Sequence, residues 1–294
     1  MVYRGSLVDS NSSVAVKKIS KESRQGVNEF ASEINVISRL RHRNLVELIG
    51  WCHERRRELL LVYDFMPNGS LDSHLYGEGI LLTWERRYKI VRNLALALLY
   101  LHEGWEHCML HMDIKPSNIM LDSNFNAKLG DFGLARLVDH AIGSRTTRSA
   151  GTRSAGTWGY MDPTCVTRAS KKSDVYSFGI VALEIATRRR PIDRSAPNDL
   201  LPWVQELHER GEDLRAADQR LDGSFDKKEM KCLLIVGIWC CHSDHHRRPP
   251  SMLQTSQVLN LDVPLPGLLP LETFRSAENE TTSLISDGAS SSLG

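Results

Sequence analysis

His111-Met112-Asp113-Ile114-Lys115-Pro116-Ser117-Asn118, with Asp131-Phe132-Gly133 a short way downstream, is the stretch on which the reading of this chain turns. It gathers a carboxylate, a lysine two residues on, an amide and a second carboxylate into a segment rich in turn residues. On its N-terminal side the chain reads as strands. Ser13-Val14-Ala15-Val16-Lys17-Lys18-Ile19 alternates and is β-branched, and residues 45–51 and 58–65 fit two further strands. Between them, residues 26–40 carry Phe30, Ile34, Ile37 and Leu40 at helical spacing. Met66-Pro67-Asn68-Gly69-Ser70 is turn chemistry and marks a hinge. On the C-terminal side helices take over. The first is expected over 83–102, with Thr83 as N-cap and Ile90, Leu94, Ala97, Leu98 and Leu101 on its buried face. Others are expected over 172–187, 199–209, 227–240 and 251–259, and residues 107–167 read as loop-rich. The organisation predicted is a small strand-rich unit over 1–66, a larger helical unit over 67–262, and a tail over 263–294 whose Pro-, then Ser/Thr/Glu-rich composition favours disorder.

Composition fits this picture. The 294 residues are 41% apolar and 25% charged, the balance of a globular protein. Lysine and arginine (37) nearly cancel aspartate and glutamate (36), so nothing points to a nucleic-acid partner. The runs Arg55-Arg56-Arg57 and Arg188-Arg189-Arg190 read as solvated charge on a turn and at a helix end. The cysteines are sparse and form no C-x-x-C pair, and Cys240, Cys241, His242, His245 and His246 match no common zinc spacing. No apolar run approaches the ~18 residues of a membrane span, so the chain is expected to be soluble and cytoplasmic.

Phosphoryl transfer needs a cation on the nucleotide phosphates, oxygen ligands for Mg²⁺, a carboxylate at the attacking hydroxyl, and positioning. The chain supplies these in order. The segment 111–118 resembles the catalytic loop of protein kinases, Asp131-Phe132-Gly133 the D-F-G magnesium motif, and Ala15-Val16-Lys17 the V-A-I-K strand. Glu33 stands where the αC glutamate belongs, and Ser173-Asp174-Val175-Tyr176-Ser177-Phe178-Gly179 resembles the αF segment that anchors the catalytic loop. Residues 41–46, 62–71 and 173–179 look like plant receptor-like kinases; 114–134 and Pro264-Leu265-Pro266 look most like L-type lectin receptor kinases. The resemblance implies an α+β, two-lobed kinase fold, with a small β-sheet lobe holding one αC helix and a mainly helical second lobe. It also implies ATP, Mg²⁺ and protein substrates bearing serine or threonine, and a place at the cytoplasmic face of the plasma membrane if the chain is part of a longer receptor.

Roles follow by position. Lys17 would bind the α/β-phosphates and pair with Glu33, Asp113 would accept the substrate hydroxyl proton, Lys115 would sit near the γ-phosphate, and Asn118 and Asp131 would hold Mg²⁺. Val2, Ala15 and Met120 would line the adenine pocket, Tyr63 its back, and Asp64 to Met66 the hinge. Lys115, together with Thr157 before Trp158-Gly159-Tyr160, resembles the serine/threonine pattern. His111 is expected to pack beside Phe132.

Four departures accompany the resemblance. Val2 matches the last residue of G-x-G-x-x-G-x-V, so the glycine-rich loop and first strand are expected to be missing, with weaker nucleotide binding and a new sheet edge. Met112 replaces the arginine of H-R-D, so phosphorylation at Thr146, Thr147 or Ser149 loses its usual grip. Asp162-Pro163-Thr164 replaces A-P-E, leaving Arg248 without its glutamate unless it reaches solvent or Asp162, with Pro250 altering the local chain. A tandem repeat, Arg148-Ser149-Ala150-Gly151-Thr152 then Arg153-Ser154-Ala155-Gly156-Thr157, lengthens the activation loop. The alternative reading is a pseudokinase or interaction module with little turnover.

Overall fold

The computed structural model describes residues 1–8, 12–20, 24–53, 58–77, 80–138, 156–163, 170–193, 195–244, 247–249 and 251–267. Arg55 to Arg57, Thr146, Thr147, Ser149, most of the tandem repeat, Thr164, Pro250 and the tail from 268 onward lie outside the described residues.

Strands β1 (Val2–Ser6), β2 (Ser13–Ser20), β3 (Leu48–His53) and β4 (Glu58–Asp64) form an antiparallel sheet in the order β1-β2-β4-β3. Period-two patterning sets its faces. Leu59, Leu61 and Tyr63 of β4 are buried while Glu58 and Asp64 at its ends are exposed. The register sets Ala15 opposite Tyr63 and Lys17 opposite Leu61, and cross-strand partners share a face. Ala15 and Lys17 therefore look the same way as Tyr63. Helix α1 (Arg24–Ile37) lies on that side, burying Phe30, Val36 and Ile37 and carrying Glu33 inward. Its last expected turn tightens to i→i−3 bonds at Arg39 and Leu40, so the α-helix ends earlier than its apolar spacing. Strand β3 starts later than expected, because Leu45 and Val46 instead pair with Leu129: Val46 N–H donates to Leu129 O at 2.9 Å, and Leu129 N–H to Asn44 O at 2.9 Å. That crossing ties the small lobe to the large one.

The large lobe comprises α2 (Leu71–Tyr76), α3 (Trp84–Leu99), α4 (Lys171–Thr187), α5 (Leu200–Glu209), α6 (Lys227–Cys240) and α7 (Met252–Leu259). Every residue of α4 from Asp174 to Thr187 is buried, as an element apolar on all sides must be. It crosses α6 at two glycines. A Cβ on Gly237 would lie 2.4 Å from Leu183 Cδ2, and one on Gly179 2.6 Å from Cys241 Sγ. The stretch expected as helix to 102 ends at Leu99 and finishes in a π turn, Tyr100–Gly104. The segment read as loop-rich holds four short strands. Of these, β5 (Cys108–Leu110) pairs with β8 (Arg136–Val138), and β6 (Ile119–Leu121) with β7 (Ala127–Leu129). Elements of three residues are too short to display a period.

Of the two outlets the sequence left for Arg248, solvent or Asp162, the fold takes Asp162. The Arg248 guanidinium, 2% exposed, is bonded through Nη1 to Asp162 Oδ2 and through Nη2, at 3.1 Å, to Asp162 Oδ1, while Nε donates to His242 O. Asp162, also buried, supplies the carboxylate that position 164 lacks. Pairing is what makes a buried charge tolerable.

Candidate active site

The site lies where β2, α1 and the strand-turn segments of the large lobe converge. Lys17 leaves β2 on the α1 side, and its Nζ is 3.0 Å from Glu33 Oε2 and 2.7 Å from Asp131 Oδ1. Glu33 is fully buried, and its other oxygen accepts the Tyr63 hydroxyl. Burial alone would lower the Lys17 pKa; the Glu33 and Asp131 carboxylates reverse this and hold it above its ordinary value. Burial likewise pushes Asp131 upward, but the Lys17 ammonium wins and holds the carboxyl below the usual range. Both groups are thus charged at neutral pH.

Asp131 follows β7 with a φ of 62°, a conformation uncommon for a non-glycine residue. It is steadied from behind. The His111 ring meets Phe132 edge-on with centroids 4.9 Å apart, His111 Nε2 lies 3.1 Å from Gly130 O, and its Nδ1 lies 3.3 Å from Asp113 N. One tautomer serves both bonds, with Nε2 donating and Nδ1 accepting. The preceding turn hangs on α4: the buried Asp174 carboxylate accepts the backbone N–H groups of His111 and Met112, each at 2.9 Å, and lies 3.0 Å from His102 Nε2. Burial opposes that charge, yet His102 and the backbone donor of Met112 keep the Asp174 pKa below its ordinary value.

A second cluster gathers at Asp113. Lys115 Nζ donates to Asp113 Oδ2 at 2.6 Å and to Thr157 Oγ1 at 2.8 Å, and Thr157 Oγ1 donates to Asp113 Oδ1 at 2.7 Å. Asn118 Nδ2 reaches Asp113 O at 2.8 Å and Oδ2 at 3.1 Å, closing the turn Pro116–Asn118. Met112, at φ 70°, turns its side chain onto Cys108, Leu110 and Val138, so an apolar contact occupies the position where the resemblance led one to look for an arginine.

The two clusters flank a cleft of about 170 Å³ between the lobes. Its lining combines the mostly apolar set Val2, Ala15, Tyr63, Asp64, Met66 and Met120 with the polar and charged set Lys17, Glu33, Asn118 and Asp131. The cleft therefore gathers the residues the sequence assigned to a nucleotide, whereas Asp113 and Lys115 stand outside its lining. Val46, Ser117 and Gly130 also line it and were missed. Their signal was weak: Val46 ends the 41–46 stretch noted only for its family resemblance, and Gly130 precedes the D-F-G triplet without belonging to it. The oxygens of Asn118 and Asp131 are the hard donors a small divalent cation takes, and the Lys17 ammonium beside them suits phosphate, so the residues present fit both groups.

Comparison with known proteins agrees with this geometry. The protein kinase domain family model matches residues 1–260. The chain is 52% identical to L-type lectin-domain containing receptor kinase IX.1 of Arabidopsis thaliana, covering 98% of this chain and 45% of the relative. It is 53% identical to kinase IX.2 of the same plant, covering 91% and 41%. It is 47% identical to L-type lectin-domain containing receptor kinase SIT2 of Oryza sativa subsp. japonica, covering 92% and 40%. The chain thus spans less than half the length of these relatives. No helix among the described residues is long and apolar enough to cross a membrane. With a sheet lobe, a helical lobe and an ion cluster in the cleft between them, the chain belongs to the protein kinase domain family.

Proposed function

We propose that the chain is an ATP- and Mg²⁺-dependent serine/threonine kinase domain that works at the cytoplasmic face of a membrane as part of a longer receptor. The observation that carries this reading is the pair of charge clusters across one cleft: Lys17 held between Glu33 and Asp131, and Asp113 held between Lys115 and Thr157. Lys17 binds and orients the nucleotide phosphates, with Glu33 aiming the ammonium. Asn118 and Asp131 would hold Mg²⁺, which would supply charge neutralisation on the phosphates. Asp113 accepts the proton of the attacking hydroxyl; Lys115 balances the charge beside it. Thr157, already hydrogen-bonded to Asp113, marks where a substrate serine or threonine is received.

The test is phosphate transfer from Mg²⁺-ATP to a generic protein substrate, followed by analysis of which amino acid is modified. Transfer to serine and threonine, abolished in Asp113→Asn, is the expected result. Transfer that survives Asp113→Asn overturns the assignment. One observation favours a second reading, an interaction module of little turnover: the apolar contact of Met112 beside the catalytic turn. In that case no transfer is seen with either protein and partner binding is the same in both.

A further inference from the structure

The arginines at the end of α4 are not equivalent. Arg188 Nε donates to Leu75 O at 2.6 Å, and Arg189 stacks on Trp203 at 4.2 Å while its Nη2 donates to Asn198 O at 2.7 Å. Both are committed to the fold, which corrects their reading as solvated charge. Arg190 is different. It is exposed, and its guanidinium carbon lies over the Tyr76 ring, 3.9 Å from the centroid, with no hydrogen bond or ion pair among the described residues. Stacking fixes where the charge points without neutralising it.

Its neighbours link it to the catalytic cluster. Tyr76 and Tyr160 both donate their hydroxyls to Glu184 Oε1, Tyr160 at 3.0 Å. The Tyr160 N–H donates to Thr157 O at 3.1 Å, closing the turn whose first residue touches Asp113. Pro191 and Ile192, directly after Arg190, press on that turn: a Cβ on Gly159 would lie 3.2 Å from Pro191 Cβ and 3.4 Å from Ile192 Cδ1. Arg190 therefore opens the segment that buttresses the mouth of the site.

No nearby acid forms an ion pair with it among the described residues: Asp72 accepts the Ser70 hydroxyl, and Asp193, which feels the Arg190 charge at longer range, accepts that of Ser195. Burial pushes the Glu184 carboxyl up to about 8 against the opposing Tyr76 and Tyr160 bonds, so it is mostly neutral at physiological pH.

We infer that Arg190 is a substrate-docking residue that selects protein segments carrying an acidic side chain close to the phosphorylated serine or threonine. This rests on the kinase reading above and adds a preference to it. A guanidinium fork presented from a fixed stack is suited to a carboxylate.

Two synthetic peptides decide it. They differ only in having glutamate or lysine on both sides of a single serine, and both are measured with the full chain and Mg²⁺-ATP. The glutamate peptide is expected to have the higher kcat/KM by about fivefold, the scale of one exposed ion pair. Arg190→Gln is expected to level the ratio, and Arg190→Glu to invert it. Fluorescence anisotropy of the same peptides reads the same ranking as affinity without turnover, so a chain that binds selectively but transfers nothing sinks the kinase reading alone. An unchanged ratio in Arg190→Glu overturns the inference, even if serine is phosphorylated.

Discussion

Truncating Asp162 to alanine leaves the buried Arg248 guanidinium with the His242 carbonyl but without its carboxylate partner. Removing one partner of a buried pair typically costs about 3–5 kcal/mol, so Asp162→Ala is expected to lower the denaturant midpoint by a corresponding amount, whereas Asp162→Glu recovers part of it. A chemical denaturation series reads this directly. At Glu184 the prediction concerns pH. Its folded pKa, about 8, lies above the ordinary 4.5, so the fold binds a proton that the unfolded chain releases. The associated stability is present below pH 4.5 and is lost as pH rises towards 8, at no more than about 1.4 kcal/mol per pH unit. Thermal melts of Glu184→Gln, which cannot ionise, are expected to lack this decline, so the variant gains on the parent between pH 5 and 8. Parallel curves would overturn the prediction.

Helix α4 is constrained at two places: Asp174 near its N-terminal end holds the turn at His111 and Met112, while its middle is pressed onto α6. Gly179→Ala places a methyl 2.6 Å from Cys241 Sγ and 2.9 Å from Gly237 O. Overpacking of this kind typically costs about 1–3 kcal/mol, and the roughly 1 kcal/mol gained by alanine over glycine in a helix offsets only part of it. A lowered melting temperature, with activity falling because Asp174 shifts, is the expected outcome; an unchanged melt contradicts the close crossing. Elements of this length were legible from sequence. The apolar run of α4 is long enough, and the spacing of Phe30, Ile34 and Ile37 in α1 regular enough, to declare a helix. The three-residue strands β5 to β8 are too short to declare a period, and the choice between solvent and Asp162 for Arg248 depended on how the fold brings the two side chains together. The residues gathered at the cleft were named for another reason: Ala15-Val16-Lys17, residues 111–118 and Asp131-Phe132-Gly133 resemble short kinase motifs, whereas the Arg190–Tyr76 and Tyr160–Glu184 contacts join residues far apart in the chain.

At the scale of the molecule, the lobes meet through the Leu129 crossing and through Lys17, which reaches from the sheet to Asp131. A ligand that bridges the lobes stabilises the folded chain by mass action, about 2.7 kcal/mol at a concentration a hundred times its dissociation constant. Thermal melts with excess Mg²⁺-ATP are therefore expected to shift upward in the parent and to shift little in Asp131→Ala. A sharp melt with no shift in the parent would argue against nucleotide binding.

The ion clusters have a consequence for how such a ligand arrives. The lining sets one ammonium, Lys17, against the carboxylates of Asp64, Asp131 and the buried Glu33, so the cleft is anionic before anything enters. A bare polyphosphate approaches against that sign. Electroneutrality makes the divalent cation a passport for entry as well as a participant in the chemistry: nucleotide and metal enter most readily as one complex, and titration with metal-free nucleotide is expected to give the weaker isotherm.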